Sequence, residues 1–141
     1  MTVPQECLQA SRDFEHFLLA ARDALGHATT NQTFATLHGV FVVFRRRLSA
    51  REGLLFASAL PPVLRAVFVD GWNPDDPVRP FADRETLADE VRGVRIDHNF
   101  SPDDAVAALA RVLWEHVDRD TLRRALAGLP EPARAFWRSD A

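Results

Sequence analysis

The chain has 141 residues, of which 47% are hydrophobic and 26% are charged, and its formal net charge is −3. This length and composition are typical of one globular domain, and we expect a single domain over residues 1–141. The acidic balance argues against broad contact with nucleic acid, which needs a basic face.

The sequence has no recognisable targeting signal or membrane span. The N-terminal segment MTVPQECLQASRDFE lacks the basic and then apolar plan of a signal peptide. No apolar run approaches the roughly 20 residues that cross a bilayer. The single cysteine, Cys7, cannot form an internal disulfide, so we expect a cytoplasmic protein with no membrane association.

Apolar residues at helical spacing predict two helices at the start of the chain. We expect the first over residues 11–25 and the second over residues 32–48, with Thr30 as the N-cap of the second. The apolar positions of the second helix step by three or four residues: Phe34, Leu37, Phe41, Phe44 and Leu48. The segment GVFVVF alone favours a strand, but the longer period predicts a central helix that is covered on most sides.

Two more helices are predicted before the middle of the chain. Ser49 and Glu52 match a capping box, which predicts a third helix over residues 50–59. Leu60 and Pro61 then end that helix and begin a fourth, because proline suits the first turn of a helix.

Residues 70–83, DGWNPDDPVRPFAD, predict an ordered connector with turns at its Asn-Pro and Asp-Pro pairs. Its candidate partner or ligand surface consists of Asp70, Trp72, Asn73 and Arg79, and Trp72 offers a flat recognition face. The alternative is that Trp72 fills the seam between two halves of the protein while the acids stay in solvent. The residue order does not match a calcium-binding loop.

Start signals also predict helices after the connector. We expect one over residues 84–92, a second that begins with Ser101 as N-cap, and a third over residues 119–128 behind the N-cap Asp118. A last helix follows the pair Leu129 and Pro130.

The second half of the chain repeats the first at an offset of 69 residues. SALPPVLRAVF recurs as AGLPEPARAFW, and Arg65 corresponds to Arg134. We therefore predict an all-α fold, a single compact bundle of about eight helices built from two pseudo-symmetric four-helix units. The units cover about residues 11–72 and 83–138, and the connector of about residues 70–83 joins them.

Two long stretches resemble a bacterial family known as domain of unknown function 2267. The first is LGHATTNQTFATLHGVFVVFRRRLSAREGLLFASALPPVLRAVFVDGW, and the second, similar to the C-terminal portion of the family, is ALARVLWEHVDRDTLRRALAGLPEPARAFW. The shared motifs are the two Leu-Pro hinges, the Leu-Arg after the first, and the GWNP turn. The resemblance extends from about Phe14 to Trp137. It implies an all-helical, cytoplasmic bacterial protein and carries over no catalytic or binding residues.

We predict no catalytic, cofactor-binding or metal-ligating residues. The five histidines show no HExxH spacing, and no nucleophile motif or Gly-rich phosphate loop is present. Arg45, Arg46 and Arg47 form a basic cluster that could hold a phosphate or an acidic partner. We interpret it as positive charge that offsets the dipole at a helix C-terminus, with three side chains that point in different directions.

The sequence therefore favours a non-enzymatic structural or protein-interaction module that recognises a protein partner or a second copy of itself, with Trp72 and Trp137 as candidate contacts. The alternative is a small-molecule-binding protein or small enzyme with a pocket at the seam between the two units, near Asp70, Trp72 and Arg79. Nucleic-acid binding through the arginine cluster ranks last because of the net charge.

Overall fold

The computed structural model describes residues 2–94 and 101–139, and within these ranges the chain forms eight helices and no strand. The helices are α1 Gln5–Leu25, α2 Thr30–Arg45, α3 Ala50–Ser58, α4 Pro62–Val69, α5 Arg84–Gly93, α6 Ala105–His116, α7 Arg119–Ala127 and α8 Glu131–Phe136. The prediction of a compact all-helical fold is confirmed, and GVFVVF lies in α2. In the described ranges, no helix combines the length and the apolar character that a bilayer crossing requires.

Helix α2 lies at the centre of the bundle because its sequence is apolar on nearly all sides. Val40, Phe41, Val43 and Phe44 are all buried, and helices α1, α4, α5 and α6 pack around them. Burying each such side chain contributes roughly 1.5–3 kcal/mol relative to leaving it exposed. The predicted central helix is therefore confirmed.

An aromatic cluster joins the middle of the chain to its C-terminal part. The ring centroid of Phe44 lies 4.9 Å from that of Phe56 and 4.8 Å from that of Phe136. Trp137 stacks on Phe56 with 5.6 Å between the centroids and is only 1% exposed. The expectation that Trp137 marks a partner surface is wrong, because its indole is part of the core.

Two predicted N-caps are present. The Ser49 hydroxyl accepts a hydrogen bond from the backbone N–H of Glu52, whose carboxylate accepts one from the N–H of Ser49 in return. Asp118 accepts a hydrogen bond from the backbone N–H of Thr121 at 2.9 Å. Both caps follow from local spacing alone, since they satisfy N–H groups that have no partner inside the helix.

The N-cap of α2 is Thr29, one residue before the predicted Thr30. Thr29 accepts from the backbone N–H of Gln32, and the Gln32 side-chain oxygen accepts from the N–H of Thr29. This capping box decides between the two threonines, because only Thr29 has a glutamine three residues later.

The prediction that Ser101 caps α6 is also wrong, since this helix begins at Ala105. The Ser101 side chain is buried, and its hydroxyl donates to the hydroxyl oxygen of Thr36 in α2 at 3.0 Å. A turn precedes the helix, closed by a hydrogen bond from the N–H of Ala105 to the carbonyl oxygen of Pro102. Ser101 therefore forms a tertiary contact, which the local sequence does not predict.

Helix α1 begins at Gln5, six residues before the predicted start. Its first turns bury little apolar surface (Leu8 is 63% exposed), so they add no clear periodic signal. The helix ends at Gly26, whose φ of 71° is a left-handed conformation that glycine adopts without steric cost.

Helices from the two halves of the chain pack against each other. Helix α1 packs on α6, α5 packs on α2, and α3 packs on α7. Helix α7 also contacts α6 and α8. This packing brings the C-terminal end of α6, the length of α7, α8 and the residues after α8 together.

Candidate functional site

The connector residues predicted as a site are placed in two groups. Asp70 is exposed, and its backbone oxygen accepts a hydrogen bond of 2.8 Å from the guanidinium of Arg45. Arg79 forms an ion pair of 3.1 Å with Glu90 of α5 and donates its backbone N–H to the carbonyl oxygen of Arg46. These contacts attach the connector to the bundle at Asp70 and Arg79.

Trp72 and Asn73 lie between these two attachments. The half-buried Trp72 ring lies against Gly53 of α3 and meets Phe68 edge-on at 5.9 Å. The Asn73 side chain accepts from the backbone N–H of Asp75, which closes a local turn. Trp72 and Asn73 line a polar cavity of about 180 Å³ under the connector, whereas Asp70 and Arg79 do not. The structure therefore brings only two of the four predicted residues to one cavity.

The arginine cluster at the end of α2 makes contacts within the bundle. Arg45 donates to the carbonyl oxygen of Phe68 at 2.8 Å, near the end of α4. Arg46 and Arg47 converge on Glu90, with ion pairs of 3.1 Å and 2.6 Å, so the expectation that all three side chains diverge is wrong for this pair. All three guanidinium groups therefore have partners inside the protein.

Glu90 is the centre of a cluster of three arginines. Its side chain is 17% exposed and that of Arg47 is 3% exposed. Burial acts to raise the pKa of Glu90, but hydrogen bonds and charge from Arg47 and Arg46 together outweigh it and hold the pKa below its ordinary value. The carboxylate therefore stays ionised and neutralises Arg47.

A second cavity, of about 160 Å³, lies between α1 and the start of α4. His16 and His116 both line it, together with Asp13. The described residues contain no group of three or more side chains that could hold a metal ion, and His98 lies outside the described residues. This cavity therefore offers no metal site on the described residues.

A larger groove, of about 380 Å³, lies where α6, α7, α8 and the residues after α8 meet. We call it the arginine groove and define it by its lining: Trp114, Arg119, Arg123, Leu126, Ala127, Arg134, Arg138 and Ser139. Four of these eight residues are arginines, and none is acidic.

Trp114 forms the aromatic wall of the arginine groove. Its indole N–H donates to the backbone oxygen of Trp137 at 2.6 Å, which fixes the orientation of the ring. The guanidinium carbon of Arg119 lies 5.5 Å from the ring centroid, within the range of a cation–π interaction. This contact orders Arg119 through the face of its guanidinium group, and no described residue accepts a hydrogen bond from its N–H groups, which can therefore bind another partner.

The other three arginines are oriented by nearby acids. Glu131 receives Arg134 on one carboxylate oxygen and Arg138 on the other, each at 2.8 Å. Hydrogen bonds from Arg138 and Arg134 hold the pKa of Glu131 below its ordinary value. Arg123 pairs with Asp120 at 2.9 Å on the exposed side of α7.

Among the described residues, the balance of charge in the groove is positive. Four arginines line it, and Asp120 and Glu131 are the carboxylates paired with three of them, so the guanidinium groups exceed those carboxylates by two charges. Planar guanidinium donors beside an aromatic ring are suited to bind an anionic group that belongs to a larger molecule.

The arginine groove was not predicted from the sequence, although a signal for it exists. Arg119 and Arg123 are four residues apart, and so are Arg134 and Arg138. This spacing places Arg119 and Arg123 on one face of α7, whereas Arg138 lies beyond the end of α8. The adjacent arginines at the end of α2 are the more conspicuous basic cluster in the sequence, but their guanidinium groups bind carbonyl and carboxylate oxygens of the bundle itself.

These features define the molecule as a compact all-helical protein with an arginine groove. The chain matches a family described as an uncharacterized conserved protein, DUF2267, over residues 14–136. It therefore belongs to this family, which confirms the resemblance seen in its Leu-Pro hinges and GWNP turn. A comparison with curated proteins finds no match.

Proposed function

We propose that the protein is a non-enzymatic interaction module that binds an acidic segment of a partner protein in the arginine groove. The observation that carries this proposal is the lining of the groove, in which four arginines accompany Trp114 without a described acidic side chain. Arginine and tryptophan are enriched among residues that dominate protein–protein binding energy. An acidic segment complements the groove in charge.

An exposed apolar surface beside the groove supports a protein partner. Leu54 and Leu55 of α3 are 63% and 37% exposed. A side chain at Gly128 would begin 3.6 Å from the terminal Cδ1 of Leu55, and Gly128 directly follows Ala127 of the groove. A partner segment with acidic and apolar side chains can therefore contact both surfaces.

The distribution of charge favours protein over nucleic acid. The whole chain has a formal net charge of −3, so the positive charge of the groove is local. A nucleic acid presents phosphates over a long path and needs an extended basic face. A short acidic segment needs only the groove. An action in the cytoplasm fits the exposed free thiol of Cys7.

Selection of peptides from a random display library tests this proposal. We expect peptides enriched in Asp, Glu and apolar residues, because they match the groove and the neighbouring leucines. The double variant Arg119→Ala, Arg123→Ala should lose at least tenfold in affinity for these peptides. The matched control is Arg12→Ala, Arg22→Ala on α1, which removes the same charge away from the groove and should keep the affinity.

Two results would contradict the proposal. One is a selection without acidic enrichment, and the other is equal affinity of the groove variant and the wild type. Sedimentation of the free protein at increasing concentration separates self-association from binding of another protein, because an acidic segment of a second copy can compete for the same groove. A dimer that the groove variant abolishes would make a second copy the partner.

The cavity under the connector supports a second candidate, a small-molecule-binding protein or small enzyme. Trp72 and Asn73 line this cavity of about 180 Å³, and Asp70 and Arg79 lie on the same connector. A thermal-shift screen with polar metabolites tests this candidate. Ligand at about 100 times its Kd should stabilise the fold by roughly 2.7 kcal/mol, and a Trp72→Ala variant should lose the shift. A broad panel without any shift would argue against this candidate.

We further propose that residues 11–72 and 83–138 are repeats related by a pseudo-twofold axis within one domain of residues 1–141. Helices α3 and α7 have the same length at an offset of 69 residues. The packing of α1 on α6 has its counterpart in that of α5 on α2, and α3 contacts α7 directly. These are the contacts that two units facing each other would make.

The hinge between the last two helices of each unit adds a detail to this proposal. The Arg65 guanidinium donates to the carbonyl oxygen of Leu60, and the Arg134 guanidinium donates to that of Leu129. Both acceptors precede a proline whose φ and ψ are closely similar, −58° and 160° at Pro61 and −59° and 155° at Pro130. A crystal structure in which the two units do not superpose would refute the repeat.

A further inference from the structure

The two excess positive charges of the arginine groove lie on α7. Arg134 and Arg138 share Glu131, whereas Arg123 has only the exposed Asp120 and Arg119 has no ion pair with a described residue. An exposed pair such as the one of Arg123 contributes little and is readily exchanged. Arg119 and Arg123 are therefore the two groups available to a ligand.

The position of Arg119 is not explained by the stability of its helix. It is the first residue of α7, where the helix dipole disfavours positive charge. Its contact with Trp114 holds the guanidinium over the ring, at a distance of 5.5 Å between the guanidinium carbon and the ring centroid. Residues that break a local stability rule are expected at functional sites.

One turn of helix separates Arg119 from Arg123, which places their side chains on the same face, about 5–6 Å apart at Cβ. A single tetrahedral anion can then accept hydrogen bonds from both guanidinium groups. A phosphate monoester carries about −1.5 to −2 charges at pH 7 and three acceptor oxygens. This charge equals the excess of the groove, whereas one carboxylate neutralises only half of it.

We propose that the groove recognises a phosphorylated side chain of a partner protein, whose phosphate monoester is held between Arg119 and Arg123. This inference rests on the proposed function and specifies which chemical group of the partner protein is bound. The groove of about 380 Å³ falls in the range of sites for larger ligands, so a phosphate alone would leave most of it empty. The neighbouring Leu54 and Leu55 provide contacts for the residues that flank the phosphate.

Degenerate peptide mixtures with one fixed central residue test the inference. The central residue is phosphoserine, unmodified serine or glutamate, and the flanking positions are random. We expect the phosphoserine mixture to bind at least tenfold more tightly than the glutamate mixture at pH 7. We also expect its affinity to fall at pH 5, because the phosphate gains a proton with a pKa near 6.

Variants of the groove locate the binding site. Arg119→Ala and Arg123→Ala should each reduce phosphoserine binding at least tenfold, while Arg12→Ala should leave it unchanged. Arg119→Lys keeps the charge but loses the planar fork, so it should recover only part of the affinity. Arg12, Arg119 and Arg123 are exposed, and circular dichroism of each variant checks that the fold is retained.

The possible results separate the two proposals. Equal binding of the phosphoserine and glutamate mixtures would overturn the phosphate anchor and leave the acidic-segment module standing. No groove-dependent binding of any mixture would overturn both. Inorganic phosphate that binds as tightly as the phosphoserine mixture would overturn a protein-borne phosphate and identify the free anion as the ligand.

Discussion

The indole ring of Trp72 occupies the space where a side chain at Gly53 would be. A Cβ built at residue 53 would lie 2.0 Å from the Cη2 atom of Trp72, far inside van der Waals contact. The connector therefore packs on α3 through a glycine, and the contacts of the ring with Gly53 and Phe68 both lie within the first half of the chain.

The substitution Gly53→Ala should displace Trp72 and destabilise the fold. Overpacking of this kind costs about 1–3 kcal/mol, which urea unfolding would measure. Gly93→Ala is the matched control, because a Cβ at residue 93 would meet no atom of a described residue within 4 Å and alanine is the better helix former. A Gly53→Ala protein as stable as the control would contradict the close packing of Trp72.

Loss of the charge at Glu90 should destabilise the protein because Arg47 would remain buried without its counter-charge. Glu90→Gln is expected to cost on the order of 3 kcal/mol in the free energy of unfolding. Glu131→Gln removes a carboxylate that also holds two arginines, but at the exposed surface, so we expect a much smaller change. Equal losses of unfolding free energy in the two variants would show that the burial of Arg47 does not increase the cost of removing its counter-charge.

Glu90 should also make stability depend on pH in the acid range. Its pKa in the folded protein lies below the ordinary value of 4.5, so the unfolded chain binds this proton more readily. The stabilisation is complete above about pH 4.5 and is lost as the pH falls through the folded pKa. The difference in unfolding free energy between wild type and Glu90→Gln should therefore shrink below this pH. A difference that stays constant down to about pH 3 would refute the assignment.

Removal of the Ser49 cap should destabilise α3. Ser49→Ala leaves the N–H of Glu52 without its side-chain acceptor and should cost about 1 kcal/mol. Ser58→Ala makes the same substitution at the exposed other end of the same helix, and we expect a change within about 0.5 kcal/mol. Chemical unfolding of both variants gives the comparison, and the cap assignment fails if the two losses are the same.

Local signals account for the parts of the fold that were predicted correctly. The caps at Ser49 and Asp118 and the hinge prolines act within a few residues, and the apolar period of α2 spans only its own turns. The misplaced starts show the limit of such signals. The two neighbouring threonines differ in that Thr29, and not Thr30, has Gln32 three residues later. Ser101 forms a hydrogen bond with Thr36 of α2 instead of capping α6.

Short-range patterns thus predicted the helices and their order, whereas the candidate site depended on how several segments pack together. Trp114, Arg119 and Arg138 come from three consecutive parts of the chain, and the bond from the Trp114 indole to the Trp137 backbone brings them into one groove. Caps and periodicity involve neighbours along the chain, so the sequence displays them directly. A groove is a property of surfaces that meet only after the core has formed, and core packing alone decided that Trp137 is buried while Trp114 lines the groove.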